Sequence, residues 1–147
     1  MKLLIKKLRA GAVIPRRATA ESAGYDLSAC LEGPLTVRPG ETLKVPTGIA
    51  AAVEGDEKCV LLIYARSGTA VKKGLAPANC VGVVDSDYRG EIMVALHNHS
   101  GEDRVIEPGE RIAQLVITPV FMPEAVEVPE LTETERGAGG FGSTGRQ

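Results

Sequence analysis

The chain has 147 residues, 44% of them hydrophobic and 24% charged, which suits one globular domain with its own core and excludes two. Its 17 basic and 19 acidic residues leave a formal charge of −2, so the footprint of a DNA- or RNA-backbone binder is missing, although a small charged ligand is compatible. Cys30, Cys59 and Cys80 are widely spaced and form no C-x-x-C pair, which argues against a disulfide framework or zinc knuckle and for a reducing, cytoplasmic compartment.

In chain order, residues 1–8 alternate like an edge strand. Their apolar run is too short for a signal peptide, and no later stretch approaches a membrane span. Residues 9–22 form a loop with the basic pair Arg16 and Arg17, and residues 23–30 alternate as a strand that puts Asp26 opposite Tyr25 and Leu27. A lone strand Asp is usually solvated; a functional role is the alternative. Between residues 31 and 53, short apolar segments are punctuated by Gly33-Pro34, Pro39-Gly40 and Pro46-Thr47-Gly48, which predicts an all-β sandwich or barrel and no helices. The apolar run 59–64 predicts a strand buried on both faces.

Where that strand ends, Arg66, Ser67 and Gly68 bring together a bidentate guanidinium, a hydroxyl donor and a glycine that lets backbone N–H groups approach phosphate oxygens. A surface turn with a helical start is the alternative. Lys72-Lys73-Gly74 reads as a solvated turn. Residues 79–96 carry the pattern of a β-hairpin: an apolar run enters, Asp85-Ser86-Asp87 turns it, Gly90 releases it and a second apolar run leaves. Its tip would hold two carboxylates and the phenol of Tyr88 on stiff strands, or be plain Asx turn chemistry.

His97 and His99 lie two apart on a strand, the spacing of a metal pair, but no third ligand is near in sequence. Residues 111–117 predict a strand with Ile112 and Gln114 on one face and Ala113 and Leu115 on the other. Gln114 is an amide among apolar neighbours, either paired with a buried backbone group or offered to a ligand. Beyond Phe121, prolines and glutamates without an apolar period mark an arm, so the expected division is a core over 1–122 and an arm over 123–147. Residues 136–146 combine glycines, two hydroxyls and flanking arginines, the makings of an anion nest, and Phe141 has no local core to join. Its ring would suit stacking on a nucleobase; by composition alone, the segment equally fits a disordered terminus.

Five of these stretches, in order, resemble the five motifs of the trimeric deoxyuridine triphosphate nucleotidohydrolases, the dUTPases. They are Ala23-Gly24-Tyr25-Asp26-Leu27, Ala65-Arg66-Ser67-Gly68, residues 82–90, Arg111-Ile112-Ala113-Gln114, and residues 136–145. Ala65 and Thr69 depart from the family, which usually has proline and leucine there. The resemblance implies an all-β, jelly-roll-like barrel or sandwich subunit with a flexible Gly-rich C-terminal arm, assembled as a homotrimer with sites at subunit interfaces. The implied reaction is hydrolysis of dUTP at the α-phosphate to dUMP and pyrophosphate, which clears dUTP from the nucleotide pool and supplies dUMP for dTMP synthesis. Mg2+ would be held mostly by the triphosphate, with Asp26 acting on it only through water and no direct protein ligand. No nucleic acid or membrane partner is implied.

Residue by residue, the resemblance makes Asp85 the general base and gives Arg66, Ser67, Gly68, Gln114, Arg136, Gly142, Ser143 and Thr144 to the phosphates. Asn79, Gly82 and Val84 fall to the uracil, Tyr88 to the deoxyribose and Phe141 to stacking on the base. A deoxycytidine triphosphate deaminase of the same fold and a non-catalytic nucleotide-binding trimer are the competing readings. The Asp87-Tyr88-Arg89-Gly90 run and Gly-rich tail weigh against the first, and the intact Asp85 against the second.

Overall fold

Short runs of Leu, Ile and Val cut by Gly and Pro have neither the length nor the period for long helices, and they pair with one another instead. The computed structural model describes residues 1–140, and among them lie eleven strands and one helix. In chain order these are β1 (Lys2–Lys7), β2 (Tyr25–Ser28), β3 (Leu35–Val37), β4 (Thr42–Pro46), β5 (Ile49–Glu54), β6 (Cys59–Tyr64), α1 (Ser67–Lys73), β7 (Leu75–Pro77), β8 (Gly82–Val84), β9 (Met93–Asn98), β10 (Arg104–Ile106) and β11 (Arg111–Pro119). They pair antiparallel in four open sheets, β2-β11-β6-β8, β4-β9-β7, β1-β5 and β10-β3. One apolar core joins them: Leu27, Leu61 and Leu115 of the first sheet meet Val45, Leu75 and Leu96 of the second, with Ile49 and Ile106 from the two ribbons. The fold is all-β and sandwich-like, and no ladder among the described residues closes into a barrel.

Four local expectations are corrected. Along β6, Cys59, Leu61 and Ile63 are buried while Val60, Leu62 and Tyr64 keep partial exposure, so only one face of the strand lies fully in the core. Residues 67–73 are helical, and Lys72-Lys73-Gly74 is the helix end, not a free turn: Gly74 takes the left-handed φ of 66° that closes many helices, and its N–H donates to the Ala70 carbonyl at 3.0 Å. Ile112 is an extra residue in the β11 ladder, since Arg111 pairs with Ser28 and Ala113 with Leu27. That bulge turns both Ile112 and Ala113 inward, so Ile112 and Gln114 do not share a face in the simple alternation expected.

The fourth correction concerns the hairpin. β8 does not pair with β9. β7 pairs with β9, the Ala78 N–H extends that ladder to the Ala95 carbonyl at 2.8 Å, and Gly82–Val84 then runs against Leu61–Ile63 of β6. The switch happens at Cys80, which has a left-handed φ of 61° and precedes a tight bond from the Val81 N–H to the Asn79 carbonyl at 2.6 Å. Residues 79–92 are therefore a loop thrown out of one sheet and braced against the other.

Candidate active site

The braced loop fixes the carboxylate tip. Val84 ends the β8 ladder, and the Tyr88 N–H donates to the Asp85 carbonyl at 3.1 Å, closing a four-residue turn of Asp85, Ser86, Asp87 and Tyr88. Arg89 ties off the tip from outside, donating through Nη1 to the carbonyls of Ser86 at 2.8 Å and Tyr88 at 3.0 Å. Asp85 is exposed and, with Val84, Tyr88, Glu91 and Ile92, lines a recess of about 340 Å3. Asn79 is exposed at the loop entrance, whereas Gly82 is buried where a Cβ would come within 3.1 Å of the Ile63 Cβ.

A second group forms where β2, β6 and β11 end together. Arg66 follows β6 in extended conformation and donates through Nε to Asp26 Oδ1 at 2.7 Å, while Arg111 at the start of β11 donates through Nη1 to Asp26 Oδ2 at 2.9 Å. Both oxygens of the carboxylate are held by arginines, so Asp26 orients two cations. Gln114 resolves its own ambiguity in favour of the backbone: Nε2 donates to the Ala65 carbonyl at 2.9 Å and pins the residue before Arg66. Gly24 makes room for that amide, because a Cβ at position 24 would lie 2.3 Å from Gln114 Oε1. Ser67 and Gly68 are exposed at the start of α1, and Arg66, Gly68, Lys72 and Arg111 border a recess of about 250 Å3. A cluster so rich in cations attracts an anion.

The tip and the arginine cluster do not meet within one chain. Val84 pairs with Leu61, near the start of β6, whereas Arg66 lies past its end; Leu61 to Arg66 is roughly 16 Å of extended chain. The two recesses have no lining residue in common. Asp85 also borders an apolar hollow with Val60, Leu62, Val83 and Met122, in which Val83 is 64% and Met122 70% exposed.

Past β11 the Val120 N–H donates to the Lys58 carbonyl at 3.1 Å, and residues 121–138 are all exposed. Arg136 sits in a turn in which its Nε donates to the Gly139 carbonyl at 2.9 Å. Phe141, Gly142, Ser143 and Thr144 lie outside the described residues. His97 and His99 contact edge to face at 4.4 Å, and His97 Nδ1 shares a hydrogen bond of 2.8 Å with Thr42 Oγ1, which is strand packing. Among the described residues no group of three His, Cys, Asp or Glu converges, and no helix is long and apolar enough to cross a membrane.

The family model described as dUTPase matches residues 10–145. This chain belongs to the dUTPase family. It is 49% identical over 148 residues to the deoxyuridine 5'-triphosphate nucleotidohydrolase of Burkholderia multivorans, covering 99% of each chain, and 50% identical over 146 residues to that of Nautilia profundicola, covering 99% of this chain and all of the relative. A variant of the Staphylococcus bacteriophage 80alpha dUTPase with dUpNHpp superposes with a TM-score of 0.82 at 28% identity over 98% of both chains. A dUTPase variant from phage phi11 of S. aureus, described with a structural Mg(II) ion, gives 0.78 at 25% identity over 90% of this chain.

Seen as a dUTPase, the chain has its first, second and fourth motifs in one cluster at the strand ends and its third alone on the braced loop. Sequence reasoning missed Arg111, although its motif was noted. An arginine opening a strand that ends in the same place as Asp26 was the available signal. It also missed Glu91, whose Oε1 accepts from the Gly48 N–H at 2.8 Å and whose Oε2 accepts from Arg9 at 2.8 Å, tying the loop's return to the N-terminal segment.

Proposed function

We propose that this dUTPase, which hydrolyses dUTP to dUMP and pyrophosphate, works as a homotrimer, each site combining the carboxylate tip of one copy with the arginine cluster of another. The observation that carries the shared site is the separation of Asp85 and Arg66 along β6. One phosphoryl centre cannot be served by both from the same chain. The exposed apolar hollow of Val60, Leu62, Val83 and Met122 beside the tip supports burial against a second copy.

Within such a site Asp85 accepts the proton of a water aligned with the leaving pyrophosphate, a role that typically contributes about 10²–10⁴ in rate. Mg2+ would be held by the substrate and would supply further neutralisation of its charge, while Arg66 and Ser67 face the charge that builds on the leaving group. Asp26 and Arg111 hold Arg66 in register, and Asp26 would act on that metal only through water. Backbone groups along residues 79–84 match the acceptor, donor, acceptor edge of uracil; cytosine reverses that pattern at two positions and leaves buried groups unpaired. Tyr88 packs on the deoxyribose. Residues 1–122 form the core and residues 123–147 an arm whose Arg136, Phe141, Gly142, Ser143 and Thr144 close over bound nucleotide. Buried free thiols at Cys30 and Cys59 support a cytoplasmic setting.

The test is an assay of dUTP, dCTP, dTTP and UTP for pyrophosphate and ammonia. Pyrophosphate from dUTP alone supports the proposal, ammonia from dCTP means a deaminase, and nucleotide binding without turnover means a regulatory protein.

A further inference from the structure

Tyr88 is folded back over its own chain. Its hydroxyl donates to the carbonyl of Glu91 at 3.1 Å, so the side chain crosses the residues between. Gly90 lies beneath it: a Cβ there would stand 2.4 Å from Tyr88 Oη, 2.5 Å from Cζ and 3.0 Å from Cε2. Non-bonded carbon atoms settle at about 3.5–4.0 Å, so the ring occupies the space that any other residue's side chain would fill. Gly90 is absent from the residues of positive φ, so its backbone would accept alanine, and the requirement is one of volume.

If a methyl group were added, the ring would yield before the backbone. Glu91 is fixed through its carboxylate to the Gly48 N–H and Arg9. Ile92 is buried at 1% exposure; its N–H donates to the Ile49 carbonyl at 2.8 Å, and its carbonyl accepts from Thr47 Oγ1 at 2.6 Å. The Tyr88 side chain, by contrast, is at the exposed end of the loop, with the residue 46% exposed. A displaced ring would no longer form the same wall of the recess that it shares with Asp85.

We infer that Gly90 is a positioning residue for sugar selection: it gives the Tyr88 ring its seat, and the seated ring discriminates deoxyribose from ribose. This rests on the dUTPase reading of the site.

The test measures kcat/KM for dUTP and UTP, with thermal melting, on Gly90→Ala, Tyr88→Ala and the double variant. Gly90→Ala should melt within about 4 °C of the wild type and lower the dUTP-to-UTP preference roughly tenfold. In the Tyr88→Ala background the same substitution should leave the ratio unchanged, since residues acting through one contact are non-additive. An unchanged ratio in the single variant, or an equal drop in both backgrounds, overturns the inference. Should Gly90→Ala fail to fold, the double variant carries the test: with the Tyr88 ring removed the added methyl group has space, so the double variant should fold, and a double variant that also fails to fold overturns the inference. A wild-type protein inert toward dUTP would overturn the dUTPase reading itself, a result distinct from an active enzyme with an unmoved ratio.

Discussion

Asp85 and Arg66 stand toward opposite ends of one strand: Val84 pairs with Leu61 early in β6, and Arg66 lies just past Tyr64 at its close. A rigid strand holds the two side chains apart in any single copy, and in the proposed homotrimer the tip of one copy would meet the strand end of another.

Asp85→Asn keeps the side-chain shape and the turn-forming carbonyl but cannot accept a proton. Turnover should fall about 10²–10⁴-fold with little change in KM. Steady-state pyrophosphate release decides it, and near-normal kcat would remove Asp85 from the chemistry.

Arg111→Ala strips Asp26 of one of its two partners. The Arg111 side chain is 57% exposed, so stability should change by no more than about 1 kcal/mol. With only one oxygen held, the Asp26 carboxylate could rotate and carry Arg66 with it, and KM for dUTP should rise roughly tenfold. A KM identical to that of the wild type would mean that Arg111 is only surface.

Gly24→Ala should be felt in melting. The new methyl would meet Gln114 Oε1 at 2.3 Å and push the amide off the Ala65 carbonyl, a crowding expected to cost about 1–3 kcal/mol. A variant as stable as the wild type would show that Gln114 can swing aside freely.

These residues also show what the chain reveals before folding. The strands between Gly33 and Glu54 were legible because turn chemistry is local: Pro39-Gly40 and Thr47-Gly48 announce their bends, and Gly40 and Gly48 take left-handed φ values of 75° and 70°. Helix α1 was legible only as the alternative of a helical start, because Ser67, Gly68, Thr69 and Val71 are weak helix formers and seven residues are too few to be stable alone; its packing on β7 decides it. The Ile112 bulge carries no Gly or Pro, and β8's change of partner depends on a strand far away in sequence. Asp85 and Arg66 were legible as candidate residues from their own short motifs, whereas the Asp26–Arg111 pair joins residues 85 positions apart, so no local pattern predicts their contact.

Ending the chain after Glu135 should leave the melting temperature almost unchanged, since residues 121–135 are exposed along their whole length, while slowing dUTP turnover severely. Phe141→Ala should lose less, on the order of 1–3 kcal/mol if its ring stacks on the base. Early melting of the truncated protein would make the arm a structural strap, and full activity would make it dispensable.

The most direct measurement mixes two inactive proteins. Asp85→Asn and Arg66→Ala are each purified, unfolded together in equal amounts, refolded and assayed for pyrophosphate from dUTP. Shared sites predict recovery of about a quarter of wild-type activity, because random assembly puts an intact Asp85 beside an intact Arg66 of another copy that often. A refolded mixture that forms mixed trimers yet stays as inactive as its components would contradict a site built across copies.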